Sequence, residues 1–292
     1  MTQFKDSTLL VTGAGGNLGR QAVEELLARG ATKIVAGTRD TARLADLAAK
    51  GVDVRHLDFD DAASVAKAFA GVDRVLLVST VAANRTEQQT KAVAAAKAAG
   101  VSYIAYTSAP NARPNADAGG INDHFNTEVA IAASGLDYTL LRNHIYADMT
   151  IFGAAQALAS GQLFDATNGG GRNYVTRLDT ARTAAGALLS ATGKEILDVT
   201  GPAPVTQAEV AALYTKLTGK PVTRVGLTGE QLAGGLEAAG VPSFMAQLLV
   251  AFDLDAAAGY HAVVTDVVER FSGRKPQTLE AFLTENKAAL GA

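Results

Sequence analysis

A glycine-rich turn near the start of the chain joins an apolar run to a helical pattern, and it limits the folds that the chain can adopt. The run is Leu9-Leu10-Val11, and the turn that follows is Thr12-Gly13-Ala14-Gly15-Gly16-Asn17-Leu18-Gly19. Apolar residues then recur with helical spacing from residue 20 onward. A strand, a tight glycine turn and a helix in this order form the corner of an α/β fold where dinucleotide phosphates bind. The sequence therefore predicts a phosphate-binding corner at residues 12–19.

Each glycine of this turn has its own expected role. Gly13 turns the chain sharply off the strand, and Gly16 lets the backbone approach a pyrophosphate with no Cβ in between. Gly19 allows the helix to pack close to the strand, and free N–H groups at the helix start hold the phosphates. The spacing Gly-x-x-Gly-x-x-Gly, with Gly15 in addition, resembles that of the extended and atypical short-chain dehydrogenases.

Composition narrows the class of protein further. With 292 residues, 48% of them apolar, the chain is long enough for one large α/β domain with or without a smaller lobe. A net charge of −3 gives no basic face for nucleic acid or an anionic membrane. The chain has no cysteine, which excludes disulfides, thiolate metal sites and thiol catalysis. No run has transmembrane length and no signal peptide is evident, so we expect a cytoplasmic protein.

Apolar runs and helical patterns alternate through the first half of the chain. Strands are predicted at residues 33–38, 52–57, 74–80, 103–108 and 136–143, and helices between them at 62–69, 87–99 and 124–134. The polar segment 109–123 is long for a plain connection and is expected to act as a lid. This alternation predicts a doubly wound parallel sheet, the Rossmann fold.

The regular alternation of predicted strands and helices ends after Tyr146. A helix is predicted at residues 151–160, a mobile glycine loop at 169–171, a helix opening at 175–181 and a strand at 196–200. Two helical patterns surround residues 222–225, and an amphipathic helix is expected at 278–290. We therefore expect a nucleotide-binding domain over residues 1–150, to which residues 175–200 return. Residues 151–174 and 201–292 are expected to form a smaller C-terminal α/β lobe for the substrate.

The residues just after the second strand bear on cofactor choice. Arg39 lies about 20 residues after the glycine turn, where a carboxylate binds the ribose 2′-hydroxyl in NAD enzymes. A guanidinium there suits a 2′-phosphate, with Arg43 close enough to help. Asp40 follows directly, but we expect Arg39 to be the residue that faces the cofactor. The alternative is a solvated loop arginine, and we favour NADPH over NADH.

Further cofactor contacts are expected at the carboxyl ends of the next strands, because ligands bind there in open α/β sheets. In short-chain dehydrogenases an aspartate and an apolar residue after the third strand contact the adenine, so that resemblance implicates Asp58 and Phe59. The alternative role, the N-cap of the following helix, fits Asp60 or Asp61 better. The remaining candidates follow the fourth and fifth strands and are Ser79, Thr80, Thr107 and Ser108.

Several segments together carry a closer resemblance. They are the glycine turn, Arg39, and the stretches 104–108, 138–143 and 278–283. The chain resembles the NmrA-like atypical short-chain dehydrogenases, within them the quinone oxidoreductase 2 type, and is similar to triphenylmethane dye reductase. The likeness covers nearly the whole chain. It implies a Rossmann domain, NADPH, hydride transfer to a quinone or another conjugated electron-poor acceptor, and a homodimer.

The chain departs from most short-chain dehydrogenases at the catalytic motif Tyr-x-x-x-Lys. No tyrosine has a lysine four residues on, and His124 and Glu128 stand where that motif would be. This departure disfavours simple ketone reduction. It fits hydride delivery to a quinone, whose reduced anion takes its proton from water. His124 is a candidate proton donor because the pKa of histidine lies near neutrality, and the alternative is a structural or solvent-facing residue at a helix start.

Asn143 and Tyr146 follow the sixth strand, where the resemblance places nicotinamide and substrate. Asn143 is a candidate partner of the carboxamide, and Tyr146 is a candidate to stack on an aromatic acceptor or is a core-edge tyrosine. The acceptor stays open between a quinone and another aromatic ketone, enone or dye. The alternative to an enzyme is a non-catalytic regulator that senses the dinucleotide. No metal-binding motif is present, and His144 is expected to pack.

Overall fold

The computed structural model describes residues 3–114 and 119–291. Its central element is a seven-stranded parallel sheet in the order β10-β6-β5-β4-β1-β2-β3. These strands are β1 (Thr8–Val11), β2 (Lys33–Thr38), β3 (Asp53–His56), β4 (Arg74–Leu77), β5 (Tyr103–Ser108), β6 (Asp137–Asn143) and β10 (Lys194–Val199). The order reverses beside β1, so the carboxyl ends of β1 and β4 flank a crevice suited to a ligand. The predicted α/β doubly wound fold is confirmed.

Two smaller sheets follow the sixth strand. One has the order β11-β9-β7, and the other pairs β12 with β8. Their strands are β7 (Ile145–Tyr146), β8 (Gln162–Asp165), β9 (Arg172–Val175), β11 (Pro204–Val205) and β12 (Thr223–Gly226).

Helices cover both faces of the large sheet and surround the smaller ones. They are α1 (Asn17–Ala28), α2 (Ala45–Ala48), α3 (Ala62–Phe69), α4 (Arg85–Ala98), α5 (Gly119–Ser134), α6 (Asp148–Ser160), α7 (Arg177–Ser190), α8 (Gln207–Thr218), α9 (Gly229–Ala238), α10 (Ser243–Ala257), α11 (Val267–Ser272) and α12 (Leu279–Glu285). Short 3₁₀ turns are present at Thr41–Leu44 and Lys287–Leu290. None of these described helices is long and apolar enough to cross a membrane.

The two faces of the sheet bury separate apolar clusters because side chains alternate along each strand. In β1, Leu9 and Val11 pack with α1, α7 and α11, whereas Leu10 packs with α3, α4 and α5. The near-continuous apolar strands are thus buried on both sides, as expected for a parallel sheet. A third cluster joins α6, α8 and α12 around Tyr214.

A buried arginine ties the sheet to α7. Arg74 lies between the rings of Phe4 and Tyr103, 3.9 and 3.8 Å from their centroids. It donates to the carbonyls of Leu188 and Ala191, at 2.7 and 2.6 Å, where α7 ends. These carbonyls have no partners within the helix, so the cation satisfies them and the helix dipole stabilises its charge.

Several boundaries differ from the expectations. β4 ends at Leu77 rather than residue 80, because the next amide, Val78 N, donates to Thr12 Oγ1. α5 begins at Gly119 rather than His124, so part of the segment 109–123 is helical, and its residues 115–118 lie outside the described residues. Its role as a lid stays a prediction. The predicted helix 278–290 breaks at Asn286, whose side chain donates to the carbonyl of Phe282.

The second half contains more strands than the sequence predicts. The strands β7, β8, β9 and β11 are short, and two of them hold only two residues each. The predicted glycine loop 169–171 is a packed turn, in which a Cβ on Gly170 would lie 2.2 Å from the carbonyl oxygen of Ala256. The division into two lobes stays a proposal, and α11 packs against α7 although it lies in the range assigned to the smaller lobe.

Candidate active site

A cleft of about 610 Å³ lies beyond the carboxyl ends of β1, β2, β3 and β4. Nine of the predicted cofactor residues line it, namely Gly13, Gly15, Gly16, Arg39, Arg43, Asp58, Phe59, Ser79 and Thr80. They come from four separate segments, and the parallel sheet brings these together because it aligns the ends of its strands. The cleft is therefore the candidate cofactor site.

The glycine corner has the geometry expected of a phosphate-binding turn. Gly13 has a φ of +61°, a conformation that other residues rarely adopt. A Cβ on Gly19 would lie 2.4 Å from the carbonyl oxygen of Gly13, which places the start of α1 directly against the turn. Gly16 precedes α1 and has no side chain to cap it, so α1 begins without a side-chain cap directly beside the glycines that line the cleft.

Two guanidinium groups stand at the rim of the cleft. Arg39 and Arg43 are exposed, and neither side chain forms an ion pair with the residues that the structure describes. Asp40 also lines the cleft, and one oxygen of its carboxylate accepts the amide hydrogen of Ala42 at 3.1 Å and caps the following 3₁₀ turn. Unpaired arginines beside a phosphate-binding corner suit an additional phosphate.

Asp58 and Phe59 line the opposite side of the cleft. Asp58 Oδ1 accepts from the amide of Asp60 at 3.1 Å, and Phe59 packs at the edge of the second apolar cluster. The cap of α3 is Asp61, which accepts from the amide of Ala63 at 2.9 Å. One of the two alternative caps is therefore observed, and Asp58 keeps a side chain in the cleft.

The remaining predicted cofactor residues do not line this cleft. Asn17 is exposed at the first turn of α1, and Leu18 is buried in the first cluster. Three hydroxyls are occupied internally: Thr12 Oγ1 accepts from Val78 N, Thr107 Oγ1 accepts from Ser79 N, and Ser108 Oγ donates to Glu128. The hydroxyls of Thr12 and Thr107 therefore hold residues 78 and 79, which follow β4, in place. Any part that they play in cofactor binding stays a prediction.

Asn143 and Tyr146 lie together after β6. Asn143 Nδ2 donates to the hydroxyl of Tyr146 at 3.3 Å, and Asn143 Oδ1 is buried without a partner among the described residues. Arg177 lies 5.1 Å from the centre of the Tyr146 ring. Burial raises the pKa of this phenol, which stays protonated at neutral pH. Buried polar atoms are nearly always satisfied, so the free amide oxygen is a candidate ligand contact.

His124 lies in α5, with its ring against Tyr106. The hydroxyl of Tyr106 is 2.8 Å from His124 Nδ1, and 9% of the histidine is exposed. Burial, with a smaller contribution from the charge of Arg85, lowers the pKa of His124 from 6.5 to about 4. The near-neutral pKa that made His124 a candidate proton donor is therefore not found, because the ring lies inside rather than at a helix start. Its catalytic role stays a prediction.

The environment of His124 gives the protein an acid-sensitive contribution to stability. The unfolded chain binds a proton at this residue below about pH 6.5, whereas the folded chain binds it only near pH 4. The free energy of unfolding should therefore fall as pH drops through this window, by up to about 3 kcal/mol for this group. Burial also lowers the pKa of His261 to about 4, so this residue adds a similar decrease in the free energy of unfolding over the same pH range.

Urea unfolding between pH 7 and pH 4.5 measures this effect. The variant His124→Gln should show a shallower loss of stability than the wild type, because glutamine keeps a polar partner for Tyr106 and does not titrate. His56→Gln is the control, since His56 is exposed and lies outside the core. Equal slopes in His124→Gln and the wild type would show that folding does not lower the pKa of His124.

Glu128, at the place of the lysine in Tyr-x-x-x-Lys, belongs to an ion pair. Its carboxylate accepts from Arg142 at 2.9 and 2.6 Å and from Ser108 at 2.6 Å. His144, expected to pack, is 2% exposed and has its Nε2 3.1 Å from Asp198. These contacts join α5, β5, β6 and β10, so Glu128 and His144 serve the framework around the site.

The sequence did not reveal several residues that line the cleft. Gln88 in α4 reaches it and donates to Asp60 at 2.9 Å, and its oxygen accepts from the Thr80 hydroxyl at 3.0 Å. Val81 is 99% exposed beside it. A glutamine in a helical pattern gives no signal of its own, because only the packing of α4 against α3 brings it to the cleft. Within the described ranges, no cluster of three or more acidic or histidine side chains is arranged to hold a metal.

The fold and the glycine-lined cleft define a dinucleotide-binding α/β protein, and the comparison with known proteins gives the family. The sequence profile of the family described as NAD(P)H-binding matches residues 13–191, so the chain belongs to this family. Quinone oxidoreductase 2 of Escherichia coli (strain K12) is 36% identical over 255 residues, which cover 86% of this chain and 88% of the relative.

Solved structures agree with this assignment. The E. coli NADPH-dependent quinone oxidoreductase complexed with NADPH superposes with a TM-score of 0.89 at 33% identity, over 98% of this chain and 100% of that one. Triphenylmethane reductase of Citrobacter sp., complexed with NADP(H), gives a TM-score of 0.87 at 30% identity, over 96% and 100% of the two chains. The expected resemblance is confirmed, and the chain is similar to both reductases.

Proposed function

We propose that this protein is an NADPH-dependent oxidoreductase that delivers a hydride to a quinone or a similar conjugated, electron-poor acceptor. One observation carries the proposal: a single cleft holds a glycine-lined helix start and two unpaired guanidinium groups at its rim. The similarity to a quinone oxidoreductase and a dye reductase supports the same reading. The proposal includes a cytoplasmic location and a homodimer.

The residues present fit NADPH. The cleft that Gly13, Gly15 and Gly16 line has room for a pyrophosphate. A Cβ on Gly15 would lie 2.6 Å from the hydroxyl of Thr38, so the backbone fits there only without a side chain. Arg39 and Arg43 would hold a 2′-phosphate, and Asp58 and Phe59 would contact the adenine. The free oxygen of Asn143 would accept a hydrogen bond from the carboxamide. When bound, NADPH supplies the hydride.

The side chains around the site favour positioning over proton transfer. The imidazole of His124 is neutral at pH 7 and paired with Tyr106, and the phenol of Tyr146 has a raised pKa. Neither group is therefore suited to release a proton readily. A reduced quinone is a weak base that takes its remaining proton from water, whereas a reduced ketone needs an acid at once. Quinones are thus the acceptor class that this site suits best.

Asn143 and Tyr146 give a matched pair of variants. Asn143→Leu should lower kcat/KM by about tenfold or more, because it removes the hydrogen bond to Tyr146 and the proposed one to the carboxamide. Tyr146→Phe should stay within about threefold of the wild type, because it keeps the ring and loses only a 3.3 Å hydrogen bond. The measurement is steady-state NADPH oxidation with naphthoquinone, together with the Kd for NADP⁺ in each variant.

The opposite ranking would change the assignment. A loss of about 100-fold or more in Tyr146→Phe would make its hydroxyl the proton donor and would favour an aromatic ketone as acceptor. If both variants and the wild type bind NADP⁺ but none oxidises NADPH, the dinucleotide-sensing regulator is the better reading. These results separate the enzyme from the regulator without knowledge of the physiological acceptor.

A further inference from the structure

A second cavity lies among the elements that follow β6. Its volume is about 200 Å³, and side chains from β7, β8, β9 and helices α6, α8, α9 and α10 line it. Most of its wall is apolar, with contributions from Ile145, Leu163, Val210, Leu232 and Leu249. We call this cavity the inner chamber.

The small sheet separates the inner chamber from Tyr146. Ile145 pairs with Tyr174, and Tyr146 pairs with Val175, so the two pairs point to opposite faces of the β7–β9 ladder. Ile145 and Tyr174 line the chamber, whereas Tyr146 packs with the first apolar cluster of the large sheet. The chamber therefore lies behind the proposed acceptor position rather than within it.

One end of the inner chamber is polar and offers hydrogen-bond donors. Arg172 forms an ion pair with Asp253, and its Nε is buried without a partner among the described residues. The hydroxyl oxygen of Tyr174 accepts from Gln207 at 2.8 Å, and no described residue accepts its own hydrogen. A ligand oxygen placed between Arg172 and Tyr174 would satisfy both donors.

The charges around the inner chamber are balanced. Asp253 is paired with Arg172, and Asp165 accepts from Arg224 at 2.6 and 2.9 Å. A buried ligand with its own net charge would lack a counter-ion there, so a neutral molecule is favoured. The mouth is apolar, since Met149 and Phe164 line the chamber and are 41% and 38% exposed. Cavities of about 150 Å³ bind benzene, so 200 Å³ suits one ring or two fused rings.

We propose that the inner chamber is a second binding site, for a compact, neutral aromatic compound that carries a carbonyl oxygen and is not reduced there. The ring occupies the apolar part, and the oxygen accepts from Arg172 and Tyr174. Because the site is separate from the cleft, its occupancy does not require NADPH.

Coumarin, a neutral two-ring carbonyl compound, is the probe. Its binding is measured by equilibrium dialysis without NADPH, with the wild type, Gly153→Phe and Gly235→Phe. Gly153 lies at the chamber with no atom within 4 Å of an added Cβ, and Gly235 is equally open in α9 but does not line the chamber. We expect Gly153→Phe to weaken binding at least tenfold and Gly235→Phe to change it less than twofold. Equal binding by all three proteins would overturn the proposal.

Two further measurements test the location and the polar contact. Tyr174→Phe keeps the ring and should weaken coumarin binding several-fold, because it removes the hydroxyl that donates to the carbonyl oxygen. Unchanged affinity would show that this hydrogen bond does not form. Saturating NADP⁺ together with naphthoquinone should leave coumarin bound, and its displacement would place the compound in the cleft instead. Because no readout depends on NADPH oxidation, these outcomes are independent of whether the protein is a reductase.

Discussion

Replacing Arg39 with aspartate is expected to raise the Kd for NADPH about 100-fold while changing the Kd for NADH less than about threefold. The variant loses charge-assisted hydrogen bonds to the 2′-phosphate, each worth about 1.5–3 kcal/mol, and adds repulsion between two negative charges. NADH carries a 2′-hydroxyl at this point, which a carboxylate binds well. Fluorescence titration with both nucleotides measures the two constants.

Two further variants test whether the loss of NADPH affinity depends on the position of the substituted arginine. Arg43→Asp should weaken NADPH binding by a smaller factor, because Arg43 lies further along the 3₁₀ turn at the same rim. Arg274→Asp makes the same change of charge at an exposed residue that does not line the cleft, and should leave both constants unchanged. If Arg39→Asp weakens the binding of NADPH and NADH equally, the guanidinium of Arg39 does not bind the 2′-phosphate.

The variant Gly19→Ala should damage cofactor binding and stability together. Its Cβ would lie 2.4 Å from the carbonyl oxygen of Gly13, so α1 must move away from the turn. Steric overpacking of this kind costs about 1–3 kcal/mol, and the displaced N–H groups should lower NADPH affinity about tenfold or more. Thermal unfolding and NADPH titration of the same preparation measure both effects.

Gly235→Ala is the matched control for Gly19→Ala. Gly235 also lies in a helix, and an added Cβ there meets no atom within 4 Å. This change should keep the NADPH affinity and slightly raise stability, because alanine favours helix. If Gly19→Ala behaves like Gly235→Ala, the close approach of α1 to the turn is not what shapes the phosphate site.

The parallel sheet was predictable because its signals are local. The strands β2 and β5 and the helix α3 have the bounds that the apolar runs indicated. The inner strands β1, β4 and β5 are buried along almost their whole length, so their sequences are mostly apolar. The edge strands β3 and β10 are only partly buried. The second half gives weaker signals, since β7 and β11 are two residues long and exist only through pairing with β9.

The cofactor cleft was predicted more completely than the surroundings of the catalytic candidates. Glycines of the turn and residues at strand ends lie at the cleft because the backbone places them there. Their positions can therefore be predicted from their spacing along the chain. The roles of His124 and Ser108 depend instead on Tyr106 and Glu128, partners that only tertiary packing brings near. Sequence spacing cannot reveal that a histidine is buried, so it does not predict the lowered pKa of His124.

Consumption of NADPH with a panel of acceptors shows whether the protein is an NADPH-dependent quinone reductase. Wild-type protein is mixed with NADPH, and separately with NADH, against benzoquinone, naphthoquinone, a triphenylmethane dye and an aryl ketone. We expect fast turnover with the quinones and NADPH, slower turnover with NADH, and little with the ketone. Tight binding of NADPH without turnover of any acceptor would show that the protein is not a reductase and would make it a dinucleotide sensor.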